Sequence, residues 1–321
     1  MDIQTQTSPS RPAPLADRTG ATERRLAWLT VGIPAVGALA ATALAIVHGI
    51  GWLEIGLLAV MYLVTALGVE AGLHRFFSHQ AFKAGPVVTA LFAIAGSMAA
   101  QGPILFWAAT HRMHHAFTDQ EGDPHSPRLH GEHLGGRLRG IWHAHVGWLF
   151  TLRRQNWSQF TPDLLRDRWV VRLNRLYFLW IALGLALPTL AGWLIGGTGY
   201  AALTGFLWGG LLRIFLVDQA TWAINSFAHS FGPRPNSTRD QSRNVFWLAL
   251  PAVGGGWHNN HHAFPALART SQRFWQLDLS GGLIELLAVF GLVWDVRRPA
   301  PRAQPRHPVL SARARLPEIP S

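Results

Sequence analysis

The sequence predicts an all-α integral membrane protein in which four transmembrane helices form two hairpins, with a cap on one membrane face and interfacial helices beside it. Three observations predict this. Hydrophobic residues make up 49 % of the 321 positions and charged residues only 14 %, and the apolar residues come in long blocks. The basic residues fall between and beside those blocks. Three histidine clusters all fall on the side that the basic residues mark.

Four blocks are long enough to cross ~30 Å of hydrocarbon as helix: residues 26–48, 52–72, 176–195 and 201–227. The connections 48–52 and 196–200 hold no Lys or Arg, whereas Arg24 and Arg25, the stretch from Arg75 to Arg175 and the chain's end are arginine-rich. Two tight hairpins with both termini inside satisfy that charge pattern, and five crossings would not. The shorter block 86–100, bounded by Gly85-Pro86 and Gly102-Pro103, is then expected to lie along the interface or to re-enter. Block 279–293 carries glutamate and glycine within its apolar run and also reads as interfacial.

Residues 1–25 are too polar and proline-rich for a cleavable signal peptide and read as a disordered leader. Residues 297–321 read as a disordered Pro/Arg-rich tail, which leaves 26–296 as one membrane domain. The net charge of +11 would suit nucleic acid, but positive-inside orientation accounts for it, so no nucleic-acid partner is expected. With no cysteine, the chain cannot use thiolate ligands or a thiol nucleophile. Any metal must be held by nitrogen and oxygen.

The clusters are His74-Arg-Phe-Phe-Ser-His79, His111-Arg-Met-His114-His115 and His258-Asn-Asn-His261-His262. On an α-helix, positions i, i+3 and i+4 share a face, so the last two boxes can each aim several imidazoles at one centre. The first box, spaced by five, turns about 140° and needs a helix end or a bend to converge. Imidazole suits iron, zinc and copper. Eight histidines are too many for one ion, so two metals are implied. If block 86–100 spanned the membrane, the first two boxes would lie on opposite faces and could share no site.

These boxes resemble, in residues, spacing and order, those of the membrane-bound fatty-acyl desaturases of the delta-9 type, and the resemblance covers about residues 26–296. Further matches are Tyr62 to Gly68, Gly122-Asp-Pro-His125, His145-Val-Gly-Trp148 and Asn225-Ser-Phe-Ala-His229. The resemblance implies a cytosolic cap carrying a histidine-rich di-iron site, with O2 as co-substrate. Carried over by position, the ligands would be His74, His79, His111, His114, His115, His229, His258, His261 and His262, with Asn225 acting through water. It also implies a bent acyl tunnel at Gln101, Trp107, Thr221 and Trp222, closed near Tyr62 and Ala66.

Among the other histidines, His48, His130, His133 and His307 are not expected to be ligands. His125, His143 and His145 are expected to support ligands by hydrogen bonds or to be structural. Gly255 departs from the family's usual Gly-Glu-Gly before the third box, so either another acid, such as Asp119 or Asp123, replaces it or the ligand shell is looser. Ala108 to Thr110 lack the charged residues that acyl-CoA members often carry, which leaves lipid-linked or carrier-linked chains open. Glu54 and Glu70 read as interfacial, and Arg213 with Asp218 as a structural pair.

The implied activity is oxygen-dependent desaturation of a long-chain saturated acyl group, with a cis double bond near C9. Its electrons would come from an external ferredoxin, rubredoxin or cytochrome b5-like donor. Hydroxylation at the same centre is an alternative, and a membrane metal transporter or sensor a distant one. The expected location is a bacterial inner membrane, with the termini and active site cytoplasmic.

Overall fold

The computed structural model describes residues 21–151 and 157–299. Residues 1–20 of the expected leader and 300–321 of the expected tail lie outside the described residues. Residues 21–25, expected in the leader, instead form the first turns of α1 (Ala21–His48). At the other end Arg297 is stitched to the body: its N–H donates to Ala81 O at 2.8 Å, and its carbonyl accepts from Ala268 N at 2.9 Å.

After α1 come α2 (Trp52–Leu67), which runs on as wide π-type turns over Gly68–Ser78, the short strand β1 (Lys83–Ala84), α3 (Pro86–Ser97) and α4 (Ile104–Phe117). Next are α5 (Leu134–Trp142), which leads through a π segment into α6 (Trp148–Thr151), and the short α7 (Pro162–Arg166) and α8 (Arg168–Arg175). The second hairpin is α9 (Tyr177–Gly196) against α10 (Gly199–Gly205), which continues through a π segment into α11 (Arg213–Phe227). Then follow α12 (His258–Ala263), α13 (Leu279–Val289) and β2 (Val293–Trp294), which pairs antiparallel with β1.

Among the described residues, four continuous helices are long and apolar enough to cross a membrane: Thr22–His48, Trp52–Ser78, Tyr177–Gly196 and Gly199–Phe227. They coincide with the four expected crossings, but the second runs on to take in the first histidine box. Their outer faces expose Val36, Leu39, Ile46, Phe178, Trp193 and Leu194. In water each such side chain would forgo about 1.5–3 kcal/mol of burial, a cost that lipid removes. The helix ending in α11 is the most enclosed of the four and forms the centre of the bundle.

Close backbone approach sets the packing. Gly197 ends α9 in the left-handed region (φ 67°), which turns the hairpin tightly. A Cβ on Gly192 would sit 2.3 Å from the Ala201 carbonyl oxygen, so the two helices of that hairpin touch through backbone. The twelve residues of α3 reach about 18 Å, short of the ~30 Å core. This helix lies against the π turns of the second crossing instead.

Candidate metal centre

The first box converges by a route that an α-helical reading misses. From Gly68 to Ser78 the chain is π-helical, and the His79 N–H donates to the His74 carbonyl at 3.1 Å. In a π turn the backbone bonds join residues five apart, and such residues lie on one face. The spacing that would turn the two rings 140° apart on an α-helix therefore brings them together, with centroids 5.0 Å apart.

Helix α4 carries the second box. Its Arg112 donates to Phe77 O and Ser78 O at 2.8 Å each, which caps carbonyls at the end of the first-box helix. Arg112 also reaches both oxygens of Asp163, at 2.6 and 2.9 Å. Helix α12 has only six residues and is held by its two asparagines. Asn260 accepts from Asn244 and donates to Thr270 O and Gln276, while Asn244 Oδ1 takes the N–H groups of Asn259 and Asn260. His258, His261 and His262 thus keep the opposite face.

Nine histidines gather into two groups. His74, His79, His111, His115 and His261 form one, and His114, His229, His258 and His262 the other, with the offered nitrogens within 4.8 Å inside each group. The division follows helical spacing. On α4 the i, i+4 pair His111 and His115 joins the first group while His114 turns to the second. On α12 the i, i+4 pair His258 and His262 joins the second group while His261 turns to the first.

The nitrogens that face one another are all Nε2: His74 to His261 3.0 Å, His261 to His115 3.0 Å, His79 to His111 2.7 Å, and His258 to His229 and to His262 3.0 Å each. The far nitrogens of three members of the second group meet carboxylates. His114 Nδ1 lies 3.0 Å from both oxygens of Asp123, His229 Nδ1 3.1 Å from Asp119, and His262 Nδ1 2.9 Å from Asp240. Each carboxylate fixes the ring proton on Nδ1 and leaves a lone pair on Nε2. His229 and His262 therefore aim two lone pairs at His258 Nε2, which has at most one proton to give. A cation between them resolves that repulsion.

The donor set fits such a cation. Two ligand nitrogens at right angles on bonds of about 2.1 Å stand about 3.0 Å apart, the spacing seen here. Burial first, and then the neighbouring imidazoles, pushes His79, His111, His115, His258, His261 and His262 well below the usual imidazole pKa, which keeps them neutral and able to ligate. Burial alone would raise Asp123, but His114 outweighs it and holds the carboxyl below its usual range. The same ion pair overcomes the burial of His114 and raises its pKa.

A groove opens beside the first group, lined by Gln101, Trp107, His111, Thr221, Trp222 and Asn225 among others. Trp107 stacks on His111 at 5.1 Å. Gln101 joins two walls, accepting from Trp107 Nε1 at 3.2 Å and donating to Thr221 Oγ1 at 2.9 Å. Thr221 also lines a second, smaller cavity that runs toward Ala66. Tyr62, one turn before Ala66, is pinned by a 2.7 Å bond to Pro251 O.

A family model described as fatty acid desaturase matches residues 50–279. The chain belongs to the fatty acid desaturase family. It is 46 % identical over 269 residues to a hex-5-enoyl-[acyl-carrier protein] acetylenase of Moorena producens, covering 83 % of this chain and 84 % of that one. It is 34 % identical over 252 residues to an sn-1 stearoyl-lipid 9-desaturase of Synechocystis, covering 77 % and 73 %. Against a delta-9 acyl-lipid desaturase 1 of Arabidopsis thaliana it is 34 % identical over 259 residues, covering 78 % and 77 %. The chain is therefore an oxidoreductase of lipid metabolism. The family generally depends on two irons, and the two histidine groups offer a donor set suited to them.

All nine histidines singled out in the sequence fall in the two groups. Asn225 lies in the groove wall. His145 has both ring nitrogens engaged, by Ser226 and Gln219 at 3.0 Å each, and is structural. His125 stands beside Asp123, its Nδ1 3.9 Å from that carboxylate, and burial followed by the charge of His114 pushes its pKa down to about 3.

Two expectations are corrected. Glu70 is more than an ordinary interfacial acid: it is 5 % exposed and lies between His74 and Arg75. Arg213 and Asp218 form no ion pair. Spaced by five on a true α-helix they face different ways, and Arg213 donates to the carbonyls of Gly209, Gly184 and Met98 instead. Asp240, Asn244 and Asp278 were missed, since loop residues carry no periodic signal.

Proposed function

We propose that this chain is an oxygen-dependent acyl desaturase that inserts a cis double bond near C9 of a long saturated chain. The supporting observation is the pair of facing histidine groups, five and four, beside a groove that bends at Thr221. The ligands would be His74, His79, His111, His115 and His261 for one iron and His114, His229, His258 and His262 for the other, with Asn225 contributing through water.

The bound irons supply the oxidant that an unactivated C–H bond requires. Two hydrogens leave adjacent methylenes, and with two external electrons and two protons one O2 becomes two waters. The protein's residues place and exclude. Trp107 and Trp222 close the groove to water, Gln101 and Thr221 fix the bend, and Tyr62 and Ala66 limit the chain beyond it. Because an aliphatic chain offers no polar handle at its middle, the position of the double bond follows from distance along the bend.

We place the site on the cytoplasmic face of a bacterial inner membrane, where the arginine-rich connections lie, with residues 26–296 as the catalytic domain and a separate ferredoxin, rubredoxin or cytochrome b5-like protein as donor. Among carriers, a lipid or carrier protein is favoured over CoA, because Ala108 to Thr110 carry no charge. The acetylenase relative favours a second reading, further unsaturation of a short chain held on a carrier protein.

Expression in a host that lacks this unsaturation, followed by location of the new double bond in lipids and carrier-bound acyl groups, tests the proposal. A double bond near C9 in lipids is expected. Unchanged acyl groups despite a loaded di-iron site and a working donor would contradict it.

A further inference from the structure

The three carboxylates Asp123, Asp119 and Asp240 all serve the four-histidine group. Among the described residues one carboxylate touches the five-histidine group, Glu70, whose Oε1 lies 3.0 Å from His74 Nδ1. The contact is close but not aligned as a hydrogen bond. The same oxygen receives Arg75 Nη2 at 3.0 Å and Nε at 3.3 Å. Arg75 is held from its other side by Asp278, at 2.9 and 3.0 Å, and Asp278 caps α13 through Gly281 N at 2.8 Å. His74 is thus tied through Glu70, Arg75 and Asp278 to α13, two hundred residues away in sequence.

The second oxygen of Glu70 faces the glycine run before the third box. A Cβ built on Gly255 would lie 3.3 Å from Glu70 Oε2 and 2.6 Å from Ile224 Cδ1. Next to it, Gly254 has φ +117°, and a Cβ there would lie 2.3 Å from Asp278 Oδ1. The run of glycines lets this loop close on the buried acids, and Glu70 occupies the space that an acid from position 255 would enter.

We propose that Glu70 is the positioning carboxylate of the five-histidine site, presented from the second crossing in place of the acid that chains with Gly-Glu-Gly present from the third-box loop. The inference rests on the proposed metal site and deepens it. Held beside Nδ1, the carboxylate keeps the ring proton there and turns the Nε2 lone pair of His74 inward. Ile224 and Glu70 crowd the space that a side chain at 255 would enter, so glycine at 255 and glutamate at 70 form a matched pair.

The test compares E70Q, E70A, G255E, E70A/G255E and E70A/R75M with the wild type, as full-length protein purified in detergent from iron-replete cells. It reads iron per chain and the Mössbauer spectrum, without substrate or donor. E70Q is expected to weaken iron at one of the two sites about 10- to 100-fold and to change one of two spectral components. E70A is expected to fall toward one iron per chain, E70A/G255E to regain the second, and G255E alone to bind no better than wild type.

Two irons and an unchanged spectrum in both E70Q and E70A would overturn the proposal. So would recovery in E70A/R75M but not in E70A/G255E, which would make Glu70 only a partner for Arg75. If E70A does not fold, the isosteric E70Q carries the test. A wild type that binds no iron pair would sink the site reading first, whereas a desaturase assay that fails while these iron results hold leaves the role of Glu70 standing.

Discussion

The His79 N–H donates to the carbonyl of His74, five residues back, at 3.1 Å, and this one bond marks the register on which the five-histidine group depends. It belongs to a π segment that presents both rings to His111 and His261. Deleting the buried Ala71 removes one residue from that segment; if the turns through the box revert to α, His74 and His79, still five apart, no longer share a face and stand about 140° apart. Iron per chain is expected to fall from two to one or fewer in the deletion variant, measured on folded protein. Retention of both irons would show that the register is not needed.

The four crossings were legible because length and apolarity are one-dimensional, and the two later boxes because i, i+3, i+4 spacing means the same thing on any α-helix. The π register was not legible. It goes with the packing of α3 on Gly68, where a Cβ would sit 2.4 Å from the Ala95 backbone, and the local sequence does not encode that contact. The partner of His74 did leave a signal, since Glu70 precedes it by four residues, but an acid within an apolar block reads as interfacial until its burial is known. Asp119 and Asp123 were visible by their closeness to the second box. Asp240, twenty-two residues before His262, had no such cue.

Thr221 accepts from Gln101 and donates to Val217 O at 3.0 Å, so its hydroxyl ties two walls of the groove and, in the proposed reading, fixes the acyl bend. Thr221→Val leaves Gln101 without that partner, a loss of about 1 kcal/mol, equivalent to about five-fold in preference between neighbouring positions. Products are expected to become a mixture of positional isomers, resolved by mass spectrometry of derivatised double bonds. A single unchanged position would remove Thr221 from the account.

Ala66 is 5 % exposed and lines the smaller cavity beyond Thr221. Ala66→Leu fills that space and costs about 1–3 kcal/mol for any chain that must enter it. The longest accepted acyl group is expected to lose the most activity, and competition assays with chains of graded length would show the optimum moving shorter. An optimum that stays in place would mean that the chain ends elsewhere.

In the metal-free protein, seven histidines at the site have pKa values far below 6.5, with burial the first cause. The unfolded chain, whose histidines titrate near 6.5, then binds more protons as pH drops, so folding stability falls on the acid side. His114 works the other way: its raised pKa contributes stability that is complete below about 6.5 and is lost as pH rises through the folded value. Seven groups against one predict a net loss of stability between about pH 7.5 and 5.5. Thermal unfolding of chelator-treated protein in detergent reads this directly, and a Tm that is flat or rising toward acid would contradict it.

The central claim is that two histidine groups hold an oxidant centre that removes hydrogen from an acyl chain without adding oxygen to it. Purified, iron-loaded protein supplied with an electron donor, a lipid- or carrier-linked acyl substrate and 18O2 measures this most directly. The account predicts two irons per chain, a product two hydrogens lighter than the substrate, no 18O in the acyl chain, and one O2 consumed per double bond. An 18O-labelled hydroxyl on the chain, or no acyl product from protein carrying both irons, would contradict it.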